Sequence, residues 1–387
     1  MNQPPQGAHT LDARDQQAVQ LMQSGALPEA EALFKEILRD RPHDHQIINV
    51  LAILAAQQGR SREAITLFDR ALAYAPGDGG PTDNTLGIIQ NLALVGSTLL
   101  DQQDWAGALE AYRTLLVADP EHASAPNTII HCVMATGEEP RLADFAPDLD
   151  EREFGTHVFI ACMPKSGSTF LKMALCALTG WPEAFMTYAF LQNEEELYLP
   201  FVRTAACRDT VTQQHVRATV PNLQMMQAFK IRPIVLVRNL FDVIVSYADF
   251  FSSGAKINTF FAGRWDGLSR ERQLDLVIDN FVPWYTAFYA SWSDVMKYGR
   301  LDCRLLRYED MIADKQGTLE ALVEFYDLGK SAAECAAAIE FVDGRKDITR
   351  FNKGKAGRGD ELTEEQKDRI RHLASYYPDV DFGPIGL

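Results

Sequence analysis

A lysine, a glycine and several hydroxyl residues form a short turn between an apolar segment and a helical pattern. The apolar segment covers 157–162, and the turn and the residues after it read Met163-Pro164-Lys165-Ser166-Gly167-Ser168-Thr169-Phe170. Backbone N–H groups in the first turn of a helix have no intrahelical partner, and the helix dipole adds partial positive charge. Gly167 lets the backbone approach a ligand, and Ser168 and Thr169 add hydroxyl donors. The segment therefore predicts an anion site at a helix N-terminus.

A second segment combines an arginine with a serine. The strand-like residues 234–237 lead into Arg238, and Ser246 follows eight residues later within a helical pattern. A guanidinium is permanently charged and offers a fork of N–H donors, which suits a phosphate. The alternative is a structural pair between Arg238 and Asp242 at the start of the helix.

These two segments resemble the nucleotide site of sulfotransferases that use 3′-phosphoadenosine 5′-phosphosulfate (PAPS). The lysine precedes the glycine and the Walker A spacing is absent, which argues against a nucleotide kinase or NTPase. The resemblance implies that Arg238 and Ser246 contact the 3′-phosphate, that 3′-phosphoadenosine 5′-phosphate (PAP) is the product, and that no metal ion is needed. Phe170 would stack on adenine or belong to the core. The residues implied at the 5′-phosphosulfate are Lys165, Ser166, Gly167, Ser168 and Thr169.

A basic, glycine-rich segment near the C-terminus has a counterpart in the same family. Residues 350–359 contain four positive charges, three glycines and no acid. The segment resembles the Lys-Gly-x-x-Gly loop that folds over the 3′-phosphate, with Lys353 and Gly354 as the best match. Asn352 replaces the usual arginine, and Arg358 would supply the missing charge. A solvated basic loop is the alternative. Tyr308 resembles the family's tyrosine that helps to hold the nucleotide base.

The resemblance also implies catalytic roles. Lys165 would stabilise the negative charge on the departing phosphate oxygen, and Ser246 would restrain this lysine until the acceptor binds. His215 is the predicted base, because histidine accepts a proton near neutral pH. It lies where many of these enzymes carry a Lys-x-His segment, although Gln213 replaces the lysine. If His215 is only structural, the base would be Glu194, Glu195 or Glu196.

Strand-like and helical patterns alternate from residue 156 to the C-terminus. This alternation predicts an α/β domain over 156–387, with a parallel sheet flanked by helices. Ligands of such sheets lie beyond the carboxyl ends of the strands, where Lys165 and Arg238 both stand. The resemblance identifies the arrangement as the P-loop-like sulfotransferase fold. Residues 141–155 are predicted to be a linker.

A repeat marks the N-terminal third of the chain, over 10–140. Gly25, Ala30, Phe34 and Pro42 recur 34 residues later as Gly59, Ala64, Phe68 and Pro76, and a third copy places Ala108, Tyr112 and Pro120 a further 44 residues on. The period resembles the tetratricopeptide repeat (TPR) and predicts an all-α solenoid of antiparallel helix pairs. Extra residues are expected near 77–84, and 122–137 is expected to form a capping helix or a partial fourth repeat. Such an array would bind a protein partner or the acceptor, or would serve self-association or packing.

The overall charge limits the classes of partner. The 387-residue chain carries a net charge of −16, which argues against general binding to nucleic acid or anionic membranes because like charges repel. Residues 1–14 show no signal-peptide pattern, and no apolar run is long enough to span a bilayer. We therefore expect a cytoplasmic protein with no integral membrane segment.

The expected function is sulfuryl transfer from PAPS to an acceptor hydroxyl, with a glycan or another large acceptor favoured by the fused repeats. Protein-tyrosine sulfation is the alternative acceptor chemistry. A hypothesis from another class is a TPR interaction scaffold with an inactive nucleotide-binding domain. The presence of Lys165, Arg238 and Ser246 argues against that hypothesis.

Overall fold

The chain divides into two compact units between Leu149 and Asp150. The computed structural model describes residues 13–75, 83–188, 195–252, 265–345 and 357–387. Within these ranges no helix is both long and apolar enough to cross a membrane.

The N-terminal unit consists of paired helices in its described residues. Their bounds are α1 Ala13–Gln23, α2 Leu27–Asp40, α3 His45–Gln57, α4 Ser61–Tyr74, α5 Asp83–Asp101, α6 Trp105–Ala118 and α7 Ala125–Thr136. The recurring small residue of each repeat is fully buried, and the recurring aromatic residue is buried beside it (Ala30 and Phe34, Ala64 and Phe68, Ala108 and Tyr112). A small side chain lets helices approach closely, and an aromatic ring fills the space between them.

The turn between the two helices of each repeat has the same backbone conformation in all three copies. Gly25 and Gly59 have φ of +81° and +75°, and Gln103 occupies the equivalent position with φ of +58°. In each copy the residue after this position donates its N–H to the carbonyl five residues earlier, as Asp104 does to Leu99 at 2.9 Å. The third repeat therefore keeps the left-handed turn although it lacks the glycine, which adopts this conformation without steric strain.

Helix α7 closes the repeat core, as the predicted capping helix should. Its residues Ile129, Cys132 and Val133 are buried in the same apolar cluster as α6. The chain beyond α7 also packs in this unit, because the buried carboxylate of Asp144 accepts hydrogen bonds from the guanidinium of Arg113 at 2.6 and 3.0 Å.

The C-terminal unit is built on four parallel strands, which confirms the predicted fold class. The strands are β1 His157–Cys162, β2 Thr210–Gln214, β3 Arg232–Val237 and β4 Arg304–Arg307, in the order β2-β1-β3-β4. Near the carboxyl ends, Ala161 pairs with Gln214, Cys162 with Leu236, and Val237 with Arg307. The residues that follow all four strands therefore meet at one edge of the sheet.

Helices flank this sheet and bury its apolar residues. Their bounds are α8 Ser168–Thr179, α9 Leu199–Ala206, α10 Val220–Ala228, α11 Leu240–Ser252, α12 Arg270–Tyr298, α13 Tyr308–Ala313, α14 Lys315–Phe325, α15 Ala332–Asp343 and α16 Glu364–Ala374. The buried strands β1 and β3 have almost no polar side chains, as expected for central strands covered on both faces.

Candidate functional site

The turn between β1 and α8 adopts an unusual backbone conformation. Lys165 has φ of +66° and Gly167 has φ of +83°, so two left-handed residues surround Ser166. A Cβ at 167 would lie 2.7 Å from the ring of Tyr308, which follows β4. Gly167 is therefore required by both its backbone conformation and its packing. As the residue before α8, it provides no side-chain cap, which leaves N–H groups of the first helical turn for a ligand.

Two hydroxyl groups hold this turn in place. The buried Ser166 donates its Oγ hydrogen to the Met163 carbonyl at 2.6 Å. Tyr285 of α12 donates its hydroxyl to the Pro164 carbonyl at 3.2 Å, and burial raises the pKa of Tyr285 well above its usual value. Tyr285 was not predicted from the sequence, because nothing local indicates that α12 passes behind the turn.

Arg238 lies directly after β3 and contacts the neighbouring turn. Its Nη1 donates to the Lys165 carbonyl at 3.1 Å, and its guanidinium carbon lies 4.2 Å from the centre of the Tyr308 ring. The Asp242 carboxylate is 3.7 Å from Nη2, and both side chains are buried. The Arg238–Asp242 pair considered from the sequence is thus present, although its separation is longer than a hydrogen bond.

Helix α11 carries Ser246 and borders the lysine of the turn. Ser246 is 5% exposed. Phe250 lies one helical turn further on, and its ring centre is 4.3 Å from Lys165 Nζ. Lys165 therefore contacts α11 one helical turn beyond Ser246.

His215 follows β2 and reaches the end of β1. Its Nδ1 lies 2.8 Å from the Cys162 carbonyl oxygen, so the N–H is on Nδ1 and the lone pair is on Nε2. His215 is half-buried, and desolvation lowers its pKa below the usual 6.5. The histidine is therefore neutral at pH 7, as a proton acceptor must be.

Glu195 is a buried carboxyl group beside this histidine. Its Oε2 accepts the backbone N–H of His215 at 2.5 Å, and Glu195 is 3% exposed. Burial raises the pKa of Glu195 to about 7, more than the hydrogen bond lowers it. Its Oε1 has no hydrogen-bond partner among the described residues. Glu196 accepts a hydrogen bond from Thr219, and Glu194 lies outside the described residues.

The two predicted aromatic contacts of the nucleotide are buried. Tyr308 and Phe170 both belong to the apolar cluster under the turn and are 4% and 2% exposed. The ammonium of Lys315 lies 4.6 Å from the centre of the Phe170 ring. Lys315 also lines an open cavity of about 550 Å³ between α14 and α15.

The basic segment is described only from residue 357 onward. Lys353 and Gly354 lie outside the described residues. The guanidinium of Arg358 pairs with Asp249 of α11, and the N–H groups of Gly357 and Gly359 donate to Asp242. Among the described residues, no cluster of three or more His, Cys, Asp and Glu side chains is arranged to hold a metal ion.

The family of the C-terminal unit is shown by a match to a known domain. The model of the sulfotransferase domain matches residues 155–373, which is more than half of the chain. The chain belongs to the sulfotransferase family. Sulfuryl transfer is therefore its general reaction, and the matched region includes all four strands and the residues that follow them.

The N-terminal region of this sulfotransferase matches tetratricopeptide repeat models over 21–80 and 96–126, which confirms the predicted repeats. A similar solved structure is the crystal structure of mouse sulfotransferase SULT7A1 complexed with PAP, with 16% identity and a TM-score of 0.45 over 61% of this chain and 87% of that chain. No curated protein matches the chain.

Proposed function

We propose that this sulfotransferase takes its sulfuryl group from PAPS and transfers it to a hydroxyl of a glycan acceptor. The observation that carries the proposal is the convergence of three strand ends. Arg238 Nη1 lies 3.1 Å from the Lys165 carbonyl, and His215 Nδ1 lies 2.8 Å from the Cys162 carbonyl. A lysine, an arginine and a histidine thus stand at one edge of the sheet.

The groups present fit a nucleotide with two separate phosphates. Helix α8 has no side-chain cap at its N-terminus, and Lys165, Ser166, Gly167, Ser168 and Thr169 would hold the 5′-phosphosulfate there. Arg238 and Ser246 stand on the next strand end and its helix, and they would hold the 3′-phosphate. Lys353, Gly354 and Arg358 are further proposed partners of that 3′-phosphate. Phe170 and Tyr308 are proposed neighbours of the adenine ring.

Lys165 and His215 would carry the chemical step. PAPS, when bound, supplies the sulfuryl group, whose bond to the 5′-phosphate oxygen breaks as a bond to the acceptor oxygen forms. The Lys165 ammonium would stabilise the electron pair left on that phosphate oxygen. His215 Nε2 would receive the hydroxyl proton of the acceptor, because Nδ1 carries the hydrogen that is donated to the Cys162 carbonyl. Ser246 would restrain Lys165, whose Nζ lies over the ring of Phe250, one helical turn after Ser246 on α11.

Exposed aromatic rings near Glu195 in the chain support a glycan as the acceptor. Tyr188 and Tyr198 are 80% and 40% exposed, and the Tyr198 ring lies 5.6 Å from Tyr188 and 5.1 Å from Phe201. Tyr198 follows Glu195 by three residues, and Glu195 pairs with Val216, the residue after His215. Flat apolar rings offer a stacking surface to the C–H face of a sugar without adding charge.

Nucleotide selectivity tests the donor assignment. Isothermal calorimetry should show tighter binding of PAP than of AMP, and Arg238→Ala should remove this preference with little change in AMP affinity. The matched control is Arg232→Ala, which alters an exposed arginine at the opposite end of β3, paired with Asp302. Equal affinities for PAP and AMP in the unaltered protein would reject PAPS as the donor. Robust partner binding with no nucleotide binding would instead favour the scaffold hypothesis.

Acceptor screening tests the glycan assignment. Transfer of radiolabelled sulfate from PAPS should appear in a glycan pool and be absent from tyrosine peptides and small phenols. Tyr198→Ala should raise the acceptor KM while the PAP dissociation constant stays unchanged. Labelling confined to tyrosine peptides would replace the glycan with a protein acceptor.

A further inference from the structure

Asp242 has partners that its local sequence does not reveal. It is 3% exposed at the start of α11, and each carboxylate oxygen accepts a backbone N–H from a distant segment. Oδ2 accepts from Gly357 at 3.0 Å, and Oδ1 accepts from Gly359 at 2.8 Å. A carboxylate that accepts two amide N–H groups fixes the backbone between them.

This contact places Arg358 along one face of α11. Asp242, Ser246 and Asp249 are spaced by four and three residues, so they share a face of the helix. Arg358 lies between the two anchored glycines and pairs with Asp249, which also binds Arg270 at 2.7 Å. The side chain of Arg358 therefore extends from Asp242 toward Asp249, along the face that carries Ser246.

The packing leaves little freedom for this segment. A Cβ added at Gly359 would lie 2.4 Å from Cβ of Phe241, the residue before Asp242. Only a residue without a side chain can bring its N–H this close to the start of α11.

We propose that Asp242 is a positioning residue that attaches the 357–359 segment to the 3′-phosphate site beside Arg238 and Ser246. The proposal rests on the function proposed above for those two residues. Asp242 does not touch the nucleotide; it acts by holding Arg358 beside Ser246.

The direction in which PAP affinity changes on substitution of Asp242 distinguishes a positioning role from direct charge repulsion. Asp242 lies 3.7 Å from Arg238, so removing its negative charge would by itself strengthen the binding of an anion. Loss of the attachment has the opposite effect, because the cationic segment is no longer held. Asn can accept only one of the two N–H groups.

Nucleotide affinities of Asp242→Asn test the proposal. We expect the PAP dissociation constant to rise about ten-fold, and the AMP constant to change less than about two-fold. Gly359→Ala should reproduce the selective loss with Asp242 and Arg238 intact. The double variant should be no worse than the weaker-binding single variant, because both remove the same contact. Asp368→Asn, at an exposed carboxylate on α16, is the matched control and should change neither constant.

Three outcomes would overturn the inference. Tighter PAP binding by Asp242→Asn would show that the carboxylate only opposes the anion. Equal losses for PAP and AMP would show a general structural role. Unchanged PAP affinity in Gly359→Ala would show that the segment does not serve the site. Failure of the unaltered protein to prefer PAP over AMP is a different result, which rejects the proposed function itself.

Discussion

Both the repeat unit and the transferase unit contain a structural pattern more than once, but the copies have different relationships in the two units. In the repeats, equivalent residues do the same work in each copy: Phe34, Phe68 and Tyr112 are all buried between paired helices. In the transferase unit, a similar strand-turn-helix pattern occurs after β1 and after β3, but the two copies differ in chemistry. One presents Lys165 and the other Arg238, and the site exists because the ends of both strands meet.

This contrast shows what a local pattern can predict. A residue that packs against its own repeat depends on near neighbours, so its role follows from the period. A residue that acts on a ligand depends on partners from other strands. The two units should therefore respond differently to mutation. Substitutions of buried repeat residues should lower the unfolding free energy, and substitutions of site residues in the transferase unit should lower the transfer rate.

Lys165→Ala should give the largest effect. Loss of the ammonium removes stabilisation of the leaving phosphate oxygen, and the transfer rate should fall roughly a thousand-fold. The PAP dissociation constant should change far less, and the melting temperature should be retained. Lys172→Ala, at a lysine of α8 paired with Glu183, is the control and should keep its transfer rate. Near-normal turnover of Lys165→Ala would remove this lysine from the mechanism.

Phe68→Ala should destabilise the repeat unit without altering the site. Truncating this fully buried ring should cost about 3–5 kcal/mol of unfolding free energy. Denaturant unfolding of the full chain measures the loss, and calorimetry should find an unchanged PAP affinity. Tyr74→Ala, at a 40% exposed ring on the same helix, should cost much less. A parallel fall in PAP affinity would contradict the separation of the two units.

His215→Ala should lower turnover about a hundred-fold and leave PAP affinity unchanged, because the base acts on the acceptor. Burial lowers the pKa of His215 below its usual value, so the histidine gains a proton only at a more acidic pH than a free histidine does. As the pH is lowered, the rate of the unaltered enzyme should therefore stay level through the usual titration range of histidine and decline only at a more acidic pH. His372→Ala, at an exposed histidine, is the control. An unchanged rate in His215→Ala would move the role of base to Glu195.

Glu195→Gln should change how stability depends on pH. The pKa of Glu195 is raised from 4.5 to about 7 in the folded protein, so the protonated form is favoured by folding. Unfolding free energy should fall as the pH rises from 4.5 to 7, by at most about 3 kcal/mol. Denaturant titrations at pH 5 and pH 8 should show this fall in the unaltered protein and lose it in Glu195→Gln. The same fall in both proteins would contradict the assignment.

Gln103→Gly should give the smallest effect. The left-handed conformation at Gln103 is costly for a residue with a side chain, and glycine removes that cost. We expect unfolding free energy to rise by about 1 kcal/mol at most, since glycine also has more freedom in the unfolded chain. Gln102→Gly in the same turn is the matched control and should not stabilise. Destabilisation by Gln103→Gly would show that its side chain, not its backbone, maintains the third turn.

Much of the fold could be predicted because its signals are local. The buried positions of the repeats follow from their periodicity, and the parallel sheet follows from the alternation of strand-like and helical patterns. The third repeat was recognised from its alanine and aromatic positions, but its turn was not, because Gln103 gives no glycine signal. For the site, the sequence predicts two anion-binding strand ends, at Lys165 and at Arg238, together with His215 as the base.

The sequence by itself determined which segments could bind an anion or supply a base, because residue type and helix position set that chemistry. The tertiary structure decided which segments meet, through the strand order β2-β1-β3-β4. It brought His215 to Cys162 and gave Asp242 two partners more than a hundred residues away. It also set the pKa of Glu195, because desolvation depends on every element packed around a group and not on its neighbours in the chain.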